Sequence, residues 1–165
     1  MSSTIVGATP AGLEWLPDQV RAILLVSAES NERWGGVAAA ELAHIVGQIR
    51  PHTLLVNTSP GFEGPDRPLD CQSVAGLTAA MMGLRPVKEI VIAPPGRSFL
   101  FIPAGLPANP LPELIRLPPF NHLVRAAAKG GTLILYVAES DVRRVASLPD
   151  GEEFAAGFHA IVMLG

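Results

Sequence analysis

The sequence has one cysteine and no long apolar run. Cys71 alone cannot form an internal disulfide or a cysteine-based zinc site, so a reducing compartment is expected. The apolar runs are too short to span a bilayer, and the first residues lack the basic start and apolar stretch of a signal peptide. We therefore expect a cytoplasmic protein that does not itself insert into a membrane.

Charged residues are also scarce, at 16% of the chain against ~25% in an average globular protein. The net charge is -3 and no cluster of Lys and Arg occurs, so nothing favours a nucleic-acid partner. Hydrophobic residues make up 48%. Two explanations of this composition stay open: an apolar surface reserved for a partner, or a large parallel sheet buried on both faces.

Short apolar runs alternate with amphipathic segments along the 165 residues. The pattern predicts strands at 22–28, 53–58, 89–93, 99–103, 132–138 and 159–164. It predicts helices at 37–50, 73–82, 120–129 and 141–147, and one helical turn in the proline-rich stretch 104–119. This order is typical of an α/β fold, a mostly parallel β-sheet flanked by helices in a three-layer sandwich. We expect one domain at 22–165, preceded by an N-terminal arm at 1–21.

Two segments resemble a known family. The first runs strand, loop, helix, strand (ILLVSAESNERWGGVAAAELAHIVGQIRPHTLLVNTSP) and resembles the opening of ParA and MinD type P-loop ATPases. It is more similar still to the bacterial tyrosine kinases of capsule and exopolysaccharide assembly, with Ala40-Glu41-Leu42-Ala43 in place of their Ala-Asn-Leu-Ala pattern. The second segment, FLFIPAGLPANPLPELIRLPP, follows their "Leu-Pro-x-Gly-x-x-Pro-Pro-Asn-Pro-x-Glu-Leu" signature. The resemblance implies a P-loop NTPase-like, Rossmann-like fold.

The residues that would bind phosphate depart from that family. A phosphate loop needs glycines, a Lys for the β/γ oxygens and a Ser or Thr for Mg²⁺. The resemblance aligns Gly35 with the Lys and Gly36 with the Ser/Thr, and no Lys precedes Lys88. Arg33 lies two positions early, and Glu29 and Glu32 bring negative charge to a place that should hold polyphosphate.

The acidic motifs of the family are missing as well. Its Asp-x-Asp after the second strand corresponds to Asn57-Thr58-Ser59, and the Asp that ends its third strand corresponds to Tyr136. Tyr136 is the single tyrosine, lies in an apolar run and is expected to be buried, so we expect no autokinase activity. We therefore interpret Arg33, Gly35, Gly36, Asn57, Ser59 and Tyr136 as vestigial nucleotide-site positions, with no catalytic residue and no cofactor. The scattered histidines His44, His52, His122 and His159 do not indicate a metal site.

The leading hypothesis is a non-catalytic, protein-binding subunit that regulates or scaffolds envelope polysaccharide synthesis or export. Its expected partner is a membrane-embedded polysaccharide synthase or export component, which would recruit it to the inner membrane. Arg33 and Trp34 are candidate interface residues, possible also in a homodimer, because Trp and Arg are enriched at interface hot spots. Trp34 either anchors such an interface or fills the vacated phosphate pocket. Two alternatives are an active nucleotide-binding protein with an atypical phosphate loop at Arg33, Gly35 and Gly36, and an unrelated enzyme on a Rossmann-like sheet.

Overall fold

The structure is a computed structural model that describes residues 4–7, 17–28, 32–59, 64–71, 75–105 and 108–164; of residues 4–7, 32 and 33 it describes only the backbone. Six strands lie within these ranges: β1 (Thr4–Gly7), β2 (Ala22–Ser27), β3 (Thr53–Asn57), β4 (Leu100–Ile102), β5 (Thr132–Ala138) and β6 (Ala160–Leu164). They form one sheet in the order β1-β6-β2-β5-β3-β4, and every pairing is parallel.

Helices connect the strands. The described ranges contain α1 (Glu32–Ile49), α2 (Leu77–Met81), α3 (Val87–Ile90), α4 (Leu111–Leu114), α5 (Pro118–Gly130), α6 (Glu139–Ala146) and α7 (Gly151–Ala156). Gly83 follows the short helix α2 with a φ of 76°, a left-handed conformation in which glycine is the least strained residue. Prolines begin α5 and cap α3 and α4, where a missing backbone N–H costs nothing.

Side chains on both faces of the sheet are buried, and alternate residues of each strand point to opposite faces. One face packs against α1 through Ile23, Leu25, Leu55, Ile134, Tyr136, Ala39, Ala43 and Val46. The other face packs against α4, α5 and the segment after α7 through Leu24, Val56, Leu135, Val137, Leu111, Leu114, Phe120 and Phe158. The predicted α/β fold with a parallel sheet between helical layers is confirmed.

Besides shifts in helix bounds, the largest of which is that α1 begins at Glu32 and not near residue 37, the structure differs from the sequence prediction at three places. Thr4–Gly7, within the predicted arm, pairs with Ala160–Met163 and becomes the edge strand β1. Residues 89–93 were predicted as a strand, but α3 covers Val87–Ile90 and only Ile92 makes an antiparallel bridge, to Phe101. This prediction is wrong because Pro86 starts a helical turn that includes the first two residues of the segment, Glu89 and Ile90.

The third difference is α7, which the sequence pattern did not predict. Its six residues include one large apolar side chain, Phe154, too few to produce a helical period. Tertiary contacts hold this helix instead. The Phe154 ring lies 6.5 Å from that of Phe120 and 5.1 Å from that of Phe158, both of which are buried.

Within the described part of the chain, no helix combines the length and the apolar character needed to cross a bilayer.

Candidate functional site

The carboxyl ends of β2, β3 and β5 lie side by side, where parallel α/β sheets place their ligand sites. Ser27 ends β2 beside Ala138, and Asn57 ends β3 beside Tyr136. Helix α1 begins at Glu32, so its amino end follows β2 directly after residues 29–31, which lie outside the described ranges. The sheet therefore brings five of the predicted positions together: Gly35, Gly36, Asn57, Ser59 and Tyr136.

Gly35 lies against two hydroxyl groups of the sheet. A Cβ atom at this position would lie 2.1 Å from Ser27 Oγ and 2.6 Å from the hydroxyl oxygen of Tyr136. Real Cβ atoms do not approach other heavy atoms so closely, so any side chain here would force Ser27 and Tyr136 to move. Ser27 and Tyr136 therefore fill the space beside Gly35, and the predicted correspondence of this residue with the phosphate-loop Lys stays a prediction.

The space beside Gly36 is filled by backbone atoms, which cannot move aside as a side chain can. A Cβ atom there would lie 2.4 Å from the carbonyl oxygen of Gly64 and 3.0 Å from the nitrogen of Pro65. A side chain could not be relieved by a rotamer change, since the loop around Gly64 would have to shift. Gly36 therefore forms a close contact between α1 and the loop after β3, and its predicted correspondence with the Mg²⁺-binding Ser or Thr stays a prediction.

Asn57 is fully buried and uses both ends of its side-chain amide. Its Nδ2 donates to Asp66 Oδ1 at 2.8 Å, and its Oδ1 accepts the backbone N–H of Ser59 at 2.9 Å. The side-chain amide of Asn57 therefore holds the loop that follows β3. Gly64 is pressed against this amide, since a Cβ at residue 64 would lie 2.6 Å from Asn57 Nδ2.

Asp66 is a site residue that the sequence analysis missed. Its carboxylate is buried, at 4% exposure, and accepts backbone N–H groups from Ala104 at 3.1 Å and Gly105 at 3.4 Å as well as the Asn57 amide. Burial raises the pKa of Asp66, although these three hydrogen bonds favour the charged form. One signal was available in the sequence: a buried Asn at the end of a strand needs an acceptor, and Asp66 lies nine residues further on in the next loop.

Tyr136 is buried, as predicted, with 2% of its surface exposed. Its backbone carbonyl accepts both the N–H and the hydroxyl of Thr58, at 3.1 Å and 2.8 Å. Beside it, Ser27 Oγ is buried and has no hydrogen-bond partner within the described residues. Hydroxyl groups and an amide therefore line this end of the sheet, contributed by Ser27, Thr58, Tyr136 and Asn57.

Trp34 points away from the sheet, with 71% of its surface exposed. Val37, one helical turn later on α1, is 40% exposed. Of Arg33 the structure describes the backbone alone, within α1, so the interface role of its side chain stays a prediction. An exposed apolar pair, Trp34 and Val37, therefore lies on α1 next to Gly35 and Gly36.

Two of the four histidines accept backbone hydrogen bonds. His44 Nδ1 accepts the N–H of Ser98 at 3.1 Å, and His159 Nδ1 accepts the N–H groups of Arg21 and Ala22 at 3.2 and 3.1 Å. Across the described ranges no group of three His, Cys, Asp or Glu side chains is close enough together to hold a metal ion.

The described residues do not fit a magnesium nucleotide. A loop that binds triphosphate needs a cation for the phosphate oxygens and oxygen ligands for the metal. Here Gly35 and Gly36 are packed against protein atoms, and the amide of Asn57 is already paired with Asp66 and Ser59. We therefore assign no catalytic step to this site.

Comparison with solved structures identifies the architecture. The kinase domain of VpsO superposes with a TM-score of 0.73 at 15% identity, over 93% of this chain and 73% of that one. The kinase domain of the Escherichia coli tyrosine kinase ETK gives 0.67 at 12% identity, over 94% and 71%. The fold is that of a bacterial tyrosine kinase domain. The chimeric protein CapA2B2 gives 0.69 at 16% identity, over 92% of this chain and 65% of that one.

The likeness lies in the fold and not in the sequence. No protein-family model and no curated protein matches the chain. With identities of 12% to 16%, the shared architecture does not carry the kinases' activity over to this protein. The chain also spans only 65% to 73% of the length of these three structures.

Proposed function

We propose that this protein is a non-catalytic relative of the polysaccharide-assembly tyrosine kinases that works by binding another protein. The observation that supports the proposal is the tight packing around Gly35 and Gly36, which the family resemblance aligns with the Lys and the Ser or Thr of a phosphate loop. Gly35 and Gly36 stand in contact with Ser27, Tyr136 and the Gly64 carbonyl.

The hydrogen bonds of Asn57 and Asp66 support the same proposal. The resemblance aligns Asn57 with an acidic residue of the kinases. The Asn57 amide donates to Asp66, and the Asp66 carboxylate also accepts two backbone N–H groups. A carboxylate with three donors has little capacity left for a cation. These hydrogen bonds hold the loop after β3 against the segment after β4 without any ligand.

We infer the biological setting from the fold and from the resemblance of the two sequence segments. The proposed role is to regulate or scaffold envelope polysaccharide synthesis or export, in the cytoplasm, at a membrane-embedded synthase or export component. The exposed pair Trp34 and Val37 is the proposed contact surface on the α1 side. A homodimer through the same surface is part of this proposal.

The direct test is isothermal titration of the purified chain with ATP and ADP, each with and without Mg²⁺, up to millimolar nucleotide. We expect no heat of binding and no rise in melting temperature. A ligand at 100 times its Kd would stabilise the fold by ~2.7 kcal/mol, so binding is easily detected. Stoichiometric, Mg²⁺-dependent binding would instead support the atypical phosphate loop around Arg33 and would reject the proposal.

A further inference from the structure

A groove of about 440 Å³ lies between α5 and α7, on the sheet face opposite α1. Its volume falls within the range of roughly 300–1,000 Å³ that is usual for binding pockets. Apolar side chains line its interior: Ile115, which is buried, and Val124 and Phe154, which are half-buried. Because these residues belong to the core behind the groove, the floor of the groove is rigid.

The two sides of the groove carry opposite charge. On the α5 side lie Arg116 and Arg125, and on the α7 side lie Asp150 and Glu153. All four residues are exposed, and none of them forms an ion pair with another described residue. Opposite charges that face one groove without pairing across it leave both rows available to an occupant.

Phe154 contacts two other aromatic rings beside the groove. Phe154 lies between Phe120 and Phe158, so α7 is fixed to α5 through three rings at one end of its contact. Apart from Phe154, the only apolar side chains of the six-residue helix α7 are those of Ala155 and Ala156. The ring contacts therefore position α7, with Asp150 and Glu153, relative to α5.

From these features we propose that the groove between α5 and α7 binds a peptide segment of a partner protein that carries an apolar anchor flanked by an acidic and a basic residue. The anchor packs on Ile115, Val124 and Phe154, the acidic residue faces the arginines, and the basic residue faces Asp150 and Glu153. Such a segment would satisfy both charged rows at once. The proposal extends the proposed function by adding a second protein-binding surface, and it does not depend on the state of the nucleotide site.

The test is selection of a phage-displayed library of random peptides, each about twelve residues long, on the immobilised full chain. The enriched peptides are then synthesised and titrated by fluorescence anisotropy. We expect a consensus with an aromatic or aliphatic residue between charges of opposite sign. Arg125→Glu and Glu153→Lys should each weaken its binding at least ~10-fold, the equivalent of one charged contact of ~1.4 kcal/mol.

The chain offers matched controls for both charge reversals. Lys129 is exposed on α5, one turn beyond Arg125, and Glu152 is exposed on α7 next to Glu153; neither lines the groove. Lys129→Glu and Glu152→Lys should leave the affinity within ~2-fold, which is less than ~0.5 kcal/mol. All four variants change exposed side chains, so their melting temperatures should match that of the wild type.

A charge-swapped peptide gives the sharpest result. Exchanging its acidic residue for Lys should abolish binding to the wild type and restore binding to Arg125→Glu. Absence of any enriched consensus, or equal weakening by groove and control variants, would overturn the proposal. So would a change in sedimentation of Arg125→Glu alone, because that result would assign the groove to a second copy of this chain.

Discussion

The side-chain amide of Asn57 donates a hydrogen bond of 2.8 Å to the carboxylate of Asp66, and both side chains are buried at the carboxyl end of the sheet. An amide and a carboxylate complement each other here as donor and acceptor. Two carboxylates at this distance would repel, and burial would make the repulsion stronger. The pair therefore fits a structural role, and an acidic residue at position 57 would weaken it.

Asn57→Asp should destabilise the fold at neutral pH by at least ~1–3 kcal/mol, since a buried hydrogen bond is replaced by two like charges. A shared proton relieves the repulsion, so the folded-state pKa of the pair is raised above that of the unfolded chain. The loss of stability should therefore be largest at pH 8 and shrink as the pH falls through that folded-state pKa. Urea unfolding of wild type and variant between about pH 5 and pH 8 measures both effects.

The control is the exchanged pair, Asn57→Asp with Asp66→Asn. It restores one amide and one carboxylate, so it should recover part of the stability and remove the extra pH dependence. It should not recover all of it, because Asp66 also accepts the backbone N–H groups of Ala104 and Gly105. Equal stability of Asn57→Asp and wild type at pH 8 would show that the two side chains are not in contact.

Gly36→Ala should lower the free energy of unfolding by ~1–3 kcal/mol, because its Cβ would meet the Gly64 carbonyl at 2.4 Å. Gly130→Ala at the end of α5 is the matched control, since its Cβ would meet nothing within 4 Å. That change should be neutral or stabilising by up to ~1 kcal/mol, because alanine favours a helix more than glycine does. Thermal melting of the two variants measures the difference in their stability. If both glycines tolerate alanine equally, α1 and the Gly64 loop are not packed as described.

The fold could be predicted from the sequence because its strands are marked by unbroken apolar runs. Thr132–Ala138, the strand β5, was predicted with its full bounds, since a strand covered on both faces must be apolar at every position. The edge strand β1 could not be predicted. Thr4–Gly7 lies in a segment without period-2 alternation, and it is a strand because β6 offers it an unpaired edge.

The sequence analysis named residues that the structure places at one end of the sheet, but it did not predict the contacts that they make. Alignment with the look-alike family indicated which groups are absent at Gly35, Gly36, Asn57 and Tyr136. It gave no sign of what replaces them, because Asn57 and Asp66 meet through a loop whose path depends on tertiary packing. Trp34 illustrates the same limit: its helical position left two orientations open, and the packing of α1 on the sheet determines that it points outward.

Tyr136 should carry no phosphate after incubation of the purified chain with Mg-ATP. Its hydroxyl lies beside Gly35, 2.6 Å from where a Cβ of that residue would be, and 2% of the residue is exposed, so a phosphoryl donor is kept away from it. Intact-mass spectrometry before and after incubation measures the outcome. A mass increase of one phosphate that maps to Tyr136 would contradict both its burial and the proposed lack of kinase activity.

Trp34→Ala should leave the stability nearly unchanged and weaken binding. With 71% of its surface exposed, Trp34 contributes little to the core, and truncation should cost less than ~0.5 kcal/mol of folding free energy. At an interface hot spot the same truncation costs ~2 kcal/mol or more of binding free energy. Sedimentation velocity at several concentrations measures self-association, with Leu84→Ala as the control because Leu84 is 77% exposed and lies outside α1. A loss of ~3–5 kcal/mol in unfolding free energy, as for a buried aromatic residue, would show that Trp34 packs inward and would reject the interface on α1.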